Sequence, residues 1–197
     1  MNECLNLLEI KDLTVHYVTV DGTVHAVENL NLMLPEGKTL GLVGETGAGK
    51  TTMIRDLAKR ISNGINEINF RGLDVSIIDE RGEIAAMTKG ITFNDVGIRT
   101  DVLDNVPKSI GIRMAVRSMA PKVIIADEIG NKDDVNIINY AICSGVKCIF
   151  TAHGSDMEDL LKNNEINKII NLQLFSKIIF LDEKQKGKIK NVVNIQN

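Results

Sequence analysis

Gly44-Glu45-Thr46-Gly47-Ala48-Gly49-Lys50-Thr51 is the stretch on which the reading of this chain turns. It satisfies G-x-x-x-x-G-K-[ST] at every fixed position. Just before it, Thr39-Leu40-Gly41-Leu42-Val43 is a short apolar run that predicts a buried strand. Just after it, Met53, Ile54, Leu57, Ala58 and Ile61 recur at helical spacing until Asn63-Gly64 supplies a stop. In that context the loop has a mechanism. Its glycines let successive N–H groups point inward at phosphate, and the helix N-terminus adds partial positive charge. The expectation is that Gly44, Glu45, Thr46, Gly47, Ala48, Gly49, Lys50, Thr51 and Thr52 hold the phosphates of a nucleotide. The Lys50 ammonium would lie on the β/γ oxygens and the Thr51 hydroxyl on Mg²⁺. A dinucleotide frame, G-x-G-x-x-G, fits less well, because begun at Gly47 it meets Thr52 where its last glycine should stand.

Hydrolysis of a bound triphosphate needs a carboxylate on the magnesium side and a base for the attacking water. Val123-Ile124-Ile125-Ala126-Asp127-Glu128 ends an apolar strand in two acids, predicting Asp127 as the metal-side carboxylate and Glu128 as the general base. Two further groups follow predicted strands, Asp79-Glu80-Arg81-Gly82-Glu83 and Thr151-Ala152-His153-Gly154. Strand C-termini of an open parallel sheet face the ligand crevice, so these charges are expected in the same cleft, with His153 at the γ-phosphate. Lys50, Glu128 and His153 form the expected catalytic set. Arg99, Arg113 and Arg117 are either a solvated basic face or arginines that reach a neighbouring subunit's phosphate.

Around these motifs, strands and helices alternate. Residues 8–20 and 23–34 alternate apolar and polar on either side of Asp21-Gly22, which predicts a β-hairpin. Strands are predicted at 75–78, 123–126, 146–150 and 177–181, and helices at 108–119 and 133–143. Ser155-x-x-Glu158 predicts a capping box opening another helix, and Ile189 to Ile195 an edge hairpin strand. The fold class is α/β: a mostly parallel sheet flanked by helices, with an N-terminal β-hairpin and a C-terminal edge hairpin. One domain is expected over 1–197, with the hairpin in 1–38 and the nucleotide-binding core in 39–197.

Composition narrows the classes. With 197 residues, 44% of them hydrophobic and 25% charged, the chain is an ordinary globular sequence. A formal net charge of -3 gives no basic excess for sequence-independent nucleic-acid binding. No apolar run reaches the length of a membrane span, and Met1-Asn2-Glu3-Cys4 has neither the charge nor the apolar core of a secretory signal. Cytoplasmic placement is the expectation. Cys4, Cys143 and Cys148 lack paired spacing and are expected as buried small hydrophobes.

From the acidic group at 79–83 and Ile84-Ala85, through Asp95-Val96-Gly97-Ile98-Arg99-Thr100-Asp101-Val102-Leu103-Asp104, Arg117-Ser118-Met119-Ala120-Pro121 and Asp127-Glu128-Ile129-Gly130, to Thr151-Ala152-His153-Gly154, the chain resembles the stage III sporulation protein AA family. That resemblance runs over about residues 53–195. It implies kinship with the ATPases of type II and type IV secretion and pilus assembly, a RecA-like fold and ATP with Mg²⁺. It also implies a ring-shaped homo-oligomer, a hexamer by analogy, energising a membrane channel complex between mother cell and forespore. Asp79, Glu80 and Glu83 fall on the family's acidic box and His153 on its histidine box.

Residues 7–52 are similar instead to the start of ATP-binding subunits of oligopeptide-importing ABC transporters, through Leu8-Glu9-Ile10-Lys11-Asp12-Leu13, Tyr17 and Pro35-Glu36-Gly37-Lys38. That resemblance implies adenine stacking by Tyr17. The two similarities meet at the phosphate loop. An ABC subunit carries an L-S-G-G-Q-type signature before its second acidic motif, whereas Arg113 to Pro121 hold nothing like it. The sporulation family carries an N-terminal domain ahead of its ATPase core, for which the hairpin segment stands here. Three readings follow: a hydrolytic ATPase of a secretion-type machine, an importer subunit, or a nucleotide-binding module without turnover.

Overall fold

The computed structural model describes residues 6–19, 22–35 and 39–195. The order of elements in the core is β3 (Leu40–Val43), α1 (Lys50–Asn63), β4 (Val75–Asp79), β5 (Met87–Thr88), β6 (Ile91–Thr92), β7 (Thr100–Asp104), α2 (Lys108–Ser118), β8 (Val123–Ala126), α3 (Lys132–Cys143), β9 (Lys147–Ala152), α4 (Met157–Leu161), α5 (Asn164–Asn171), β10 (Lys177–Leu181) and β11 (Ile189–Asn194). Ahead of it, β1 (Asn6–Thr19) and β2 (Gly22–Pro35) pair antiparallel as a separate two-stranded sheet, with Thr19 opposite Gly22. Gly22 is therefore in the strand, and the rest of the predicted turn lies outside the described residues. β2 runs past α1 and β11.

The main sheet has the order β11-β10-β3-β9-β8-β4-β7, parallel throughout except for the antiparallel edge strand β11. Its central strands are buried on both faces, which is why they read as unbroken apolar runs. Leu40, Leu42, Ile125 and Ile149 pack on one side with Met53, Ile54, Leu57 and Ile61 of α1. Ile124, Ala126, Cys148 and Phe150 face the other way, onto Ile112, Ile137, Ile138 and Ile169 of α2, α3 and α5. Period-two alternation thus feeds two separate cores from one sheet.

Three features differ from the sequence expectation. β7 extends the sheet beyond β4 although Thr-Asp-Val-Leu-Asp is only partly buried and its polar residues hide the strand signal. The helix after β9 is capped by Asp156, whose side chain accepts from the Asp159 N–H, so the cap lies one residue beyond Ser155; a reciprocal capping box occurs on α3 instead, between Asn131 and Asp134. Cys148 is buried, but Cys143 is exposed, because it stands at the end of α3 on the solvent side.

Candidate nucleotide site

The phosphate-loop strand β3 and the acidic strand β8 are not neighbours: β9 lies between them. Its end stitches the site together, since Ala152 O accepts from Gly44 N–H at 3.3 Å, Thr151 O from Ile129 N–H at 2.8 Å and Thr151 Oγ1 from Glu128 N–H at 2.8 Å. The loop itself turns through Gly47 (φ 83°) and Gly49 (φ 95°), left-handed conformations that a side chain would strain. The first intrahelical bond runs from Met53 N–H to Gly49 O at 3.0 Å, and among the described residues no side chain caps the helix. The amides of the first turn of α1 therefore remain as donors for an anion.

A cleft of about 530 Å³ opens over this turn, and Thr46, Gly47, Gly49, Lys50, Thr51 and Thr52 of the expected loop line it, together with Asp127 and Glu128. Gly44, Glu45 and Ala48 belong to the loop's frame and do not line the cleft; Ala48 is buried. Lys50 Nζ donates to Gly44 O at 2.5 Å and Glu45 O at 3.0 Å. Burial pushes this ammonium below the ordinary lysine range, with the carboxylates of Glu128 and Glu45 acting the other way. Asp127 is 5% exposed. Burial raises its carboxyl to about 6, reinforced by the charges of Asp79, Glu83 and Glu128 and opposed by Lys108. Among the described residues no hydrogen bond reaches that carboxylate. A buried acid among acids, across a cleft from a threonine hydroxyl and uncapped helix amides, fits a divalent cation with polyphosphate.

The remaining expected residues are placed differently. Asp79 does not face the cleft. It is fully buried, and its carboxylate accepts from Glu83 N–H at 2.9 Å, Ile84 N–H at 3.1 Å and Ala85 N–H at 2.8 Å, folding the turn after β4. Glu80 pairs with the buried Lys108 at 2.5 Å, so only Glu83 of the acidic box lines the cleft. His153 is not among the lining residues; its Nε2 lies 2.9 Å from Glu45 Oε2, on the outer side of the loop. Arg99 donates to Ser62 O at 3.0 Å and tethers the end of α1, while Arg113 stacks 5.6 Å over the Tyr140 ring. Tyr17 lies on β1, and its side chain is outside the described part of the structure.

Of the two groups expected at the cleft, Arg81 and Thr151 line it as well; sequence reasoning missed Lys186 and Gly187, which line it too. Arg81 forms an ion pair with Glu128. Glu128 itself has φ 50°, in the left-handed region, so the strand ends by turning its carboxylate aside into the cleft mouth.

The family model described as "Sporulation stage III, protein AA" matches residues 15–197. The chain is 38% identical over 146 residues to stage III sporulation protein AA of Bacillus subtilis (strain 168), covering 74% of this chain and 47% of that protein. It is 46% identical over 69 residues to the oligopeptide transport ATP-binding protein OppF of the same organism, 35% of this chain and 23% of that one. The chain thus spans less than half the length of either relative. In solved structures, the Legionella pneumophila ATPase DotB superposes with a TM-score of 0.55 at 16% identity, covering 83% of this chain and 47% of that one. That likeness shows a shared P-loop ATPase fold.

Proposed function

From the premise that the chain belongs to the stage III sporulation protein AA family, we infer that it binds ATP with Mg²⁺ in the cleft over α1 and hydrolyses it. The observation that carries this is the pairing, across one cleft, of the α1 N-terminus and Lys50 with the buried carboxylate of Asp127, neither the helix end nor the carboxylate having a side-chain partner among the described residues. The first-turn amides and Lys50 hold the phosphates, Lys50 exchanging its two carbonyl partners for phosphate oxygens. Thr51 and Asp127 would hold the cation, which supplies charge neutralisation on the transferred phosphoryl group. Glu128 takes the proton of the attacking water, and its backbone bond to Thr151 fixes where it stands. His153 acts through Glu45, at the second position of the phosphate loop, rather than by lying in the cleft.

Energy from hydrolysis drives a secretion-type channel complex at a membrane from the cytoplasmic side, with the active chain a homo-oligomeric ring; the resemblance to secretion ATPases supports both. No helix among the described residues is long and apolar enough to cross a membrane. Residues 1–197 act as one ATPase unit. The similarity to the importer subunit OppF covers 35% of the chain, and Arg113 to Pro121 hold nothing like the signature that an importer subunit carries.

Titration with Mg·ATP tests the assignment: wild type binds and turns over, and Lys50→Ala loses affinity by about tenfold or more, the scale of one charge-assisted contact. Unchanged affinity in that variant removes the site.

A further inference from the structure

The hairpin between β10 and β11 rests on the phosphate loop. Gly187, buried and at φ 77°, donates its N–H to Ala48 O at 2.8 Å, and a Cβ on Gly49 would stand 3.2 Å from Gly187 N. The hairpin is itself braced: the Asp182 carboxylate accepts from the N–H groups of Lys184 and Gln185, both at 2.8 Å, and Asp182 N–H donates to Lys188 O at 2.8 Å. This carries Lys186 into the cleft wall. Among the described residues no carboxylate pairs with it, whereas the cleft's other exposed cation, Arg81, is paired with Glu128.

The sheet order fixes which end of a ligand Lys186 meets. β3 has β10 on one flank and β9, β8 and β4 on the other. Glu83, Asp127 and Glu128 therefore stand on one side of the phosphate loop and Lys186 on the opposite side. The reacting phosphate belongs on the carboxylate side.

We propose that Lys186 is a second phosphate-binding lysine, contacting the part of the nucleotide retained in the diphosphate product. The proposal rests on the nucleotide reading of the cleft. Lys186 then contributes equally to substrate and product binding and leaves the chemical step alone.

Calorimetric titration of the full chain with Mg·ADP and with a non-hydrolysable Mg·ATP analogue tests this, alongside steady-state turnover. Lys186→Ala should weaken both ligands by about 5- to 20-fold, raise KM in proportion and leave kcat within about twofold. Lys186→Arg should restore most of the affinity, and the melting temperature without nucleotide should not move. Loss for the triphosphate analogue alone would put Lys186 at the reacting phosphate and overturn the assignment. So would affinities within twofold of wild type for both ligands while Lys50→Ala loses binding. Were Lys50→Ala also to bind normally, the cleft reading would fall and this one with it.

Discussion

Arg81 and Glu128 are joined in an ion pair at the mouth of the cleft, although one follows β4 and the other follows β8. Those strands are neighbours in the sheet, so their C-terminal turns meet. A planar guanidinium on the carboxylate holds it in one orientation.

Glu128→Gln should leave nucleotide affinity nearly intact and lower turnover by about 10²- to 10⁴-fold, the usual contribution of a positioned base. Arg81→Ala, which loosens the carboxylate without removing it, should cost less, on the order of tenfold in kcat. Steady-state ATPase rates with binding titrations separate the two effects. If Glu128→Gln turns over at the wild-type rate, Glu83 is the cleft carboxylate left to do the work.

Asp127 sits where its charge is unfavourable until a cation arrives. Its folded carboxyl titrates near 6, above the unfolded value, so it stabilises the fold at low pH and that contribution is lost as pH rises through about 6. Asp127→Asn should therefore raise the nucleotide-free stability at pH 7.5, by on the order of 1–2 kcal/mol once solvent screening is allowed for. It should make little difference near pH 4 and should abolish Mg²⁺-dependent turnover. Thermal melts at the two pH values check the sign; equal gains at both would mean that charge is not the cause.

Asp79 predicts the opposite kind of phenotype. Three backbone donors converge on its buried carboxylate, and Asp79→Ala strands them all. The expected loss is about 3 kcal/mol in chemical denaturation, together with raised KM, because Arg81 and Glu83 ride on the same turn. A variant of wild-type stability with only turnover impaired would overturn this structural role and put Asp79 in the chemistry.

Gly111 shows how closely α2 rides on the sheet. A Cβ there would lie 2.6 Å from Ile78 Cγ2, and Ile78 is fully buried. Gly111→Ala gains up to about 1 kcal/mol of helix propensity but must push α2 outward, costing about 1–3 kcal/mol, so the net effect is destabilising. Equilibrium unfolding gives the sign directly.

What could be read from the sequence was what the chain writes contiguously. Gly44 to Thr51 is legible because phosphate binding by backbone amides needs consecutive residues, and Asp127-Glu128 because a strand announces its own end. Lys186 was not legible, since its place in the cleft depends on Gly187 meeting Ala48, a contact between residues far apart in the chain. Asp79 and Glu83 look alike in sequence; only the turn closing over Asp79 decides that one is structural and the other lines the cleft. β7 escaped because an edge strand needs no apolar run.

Assembly gives the last test. Arg113 and Arg117 are exposed on one face of α2, four residues apart, and Arg99 is committed to Ser62 O. If the ring model holds, an arginine of that face completes a neighbouring subunit's charge neutralisation, and Arg117, which among the described residues has no stacking partner like the Tyr140 ring that holds Arg113, has the freer reach. Specific ATPase activity should then rise with protein concentration. Arg117→Ala should bind nucleotide normally and turn over at least about tenfold more slowly, on the scale of a trans-acting arginine. Mixed into wild type, it should lower activity by more than its mole fraction. Light scattering that shows a monomer at concentrations where specific activity is already maximal would overturn the ring, leaving Arg81 as the arginine that lines each chain's own cleft.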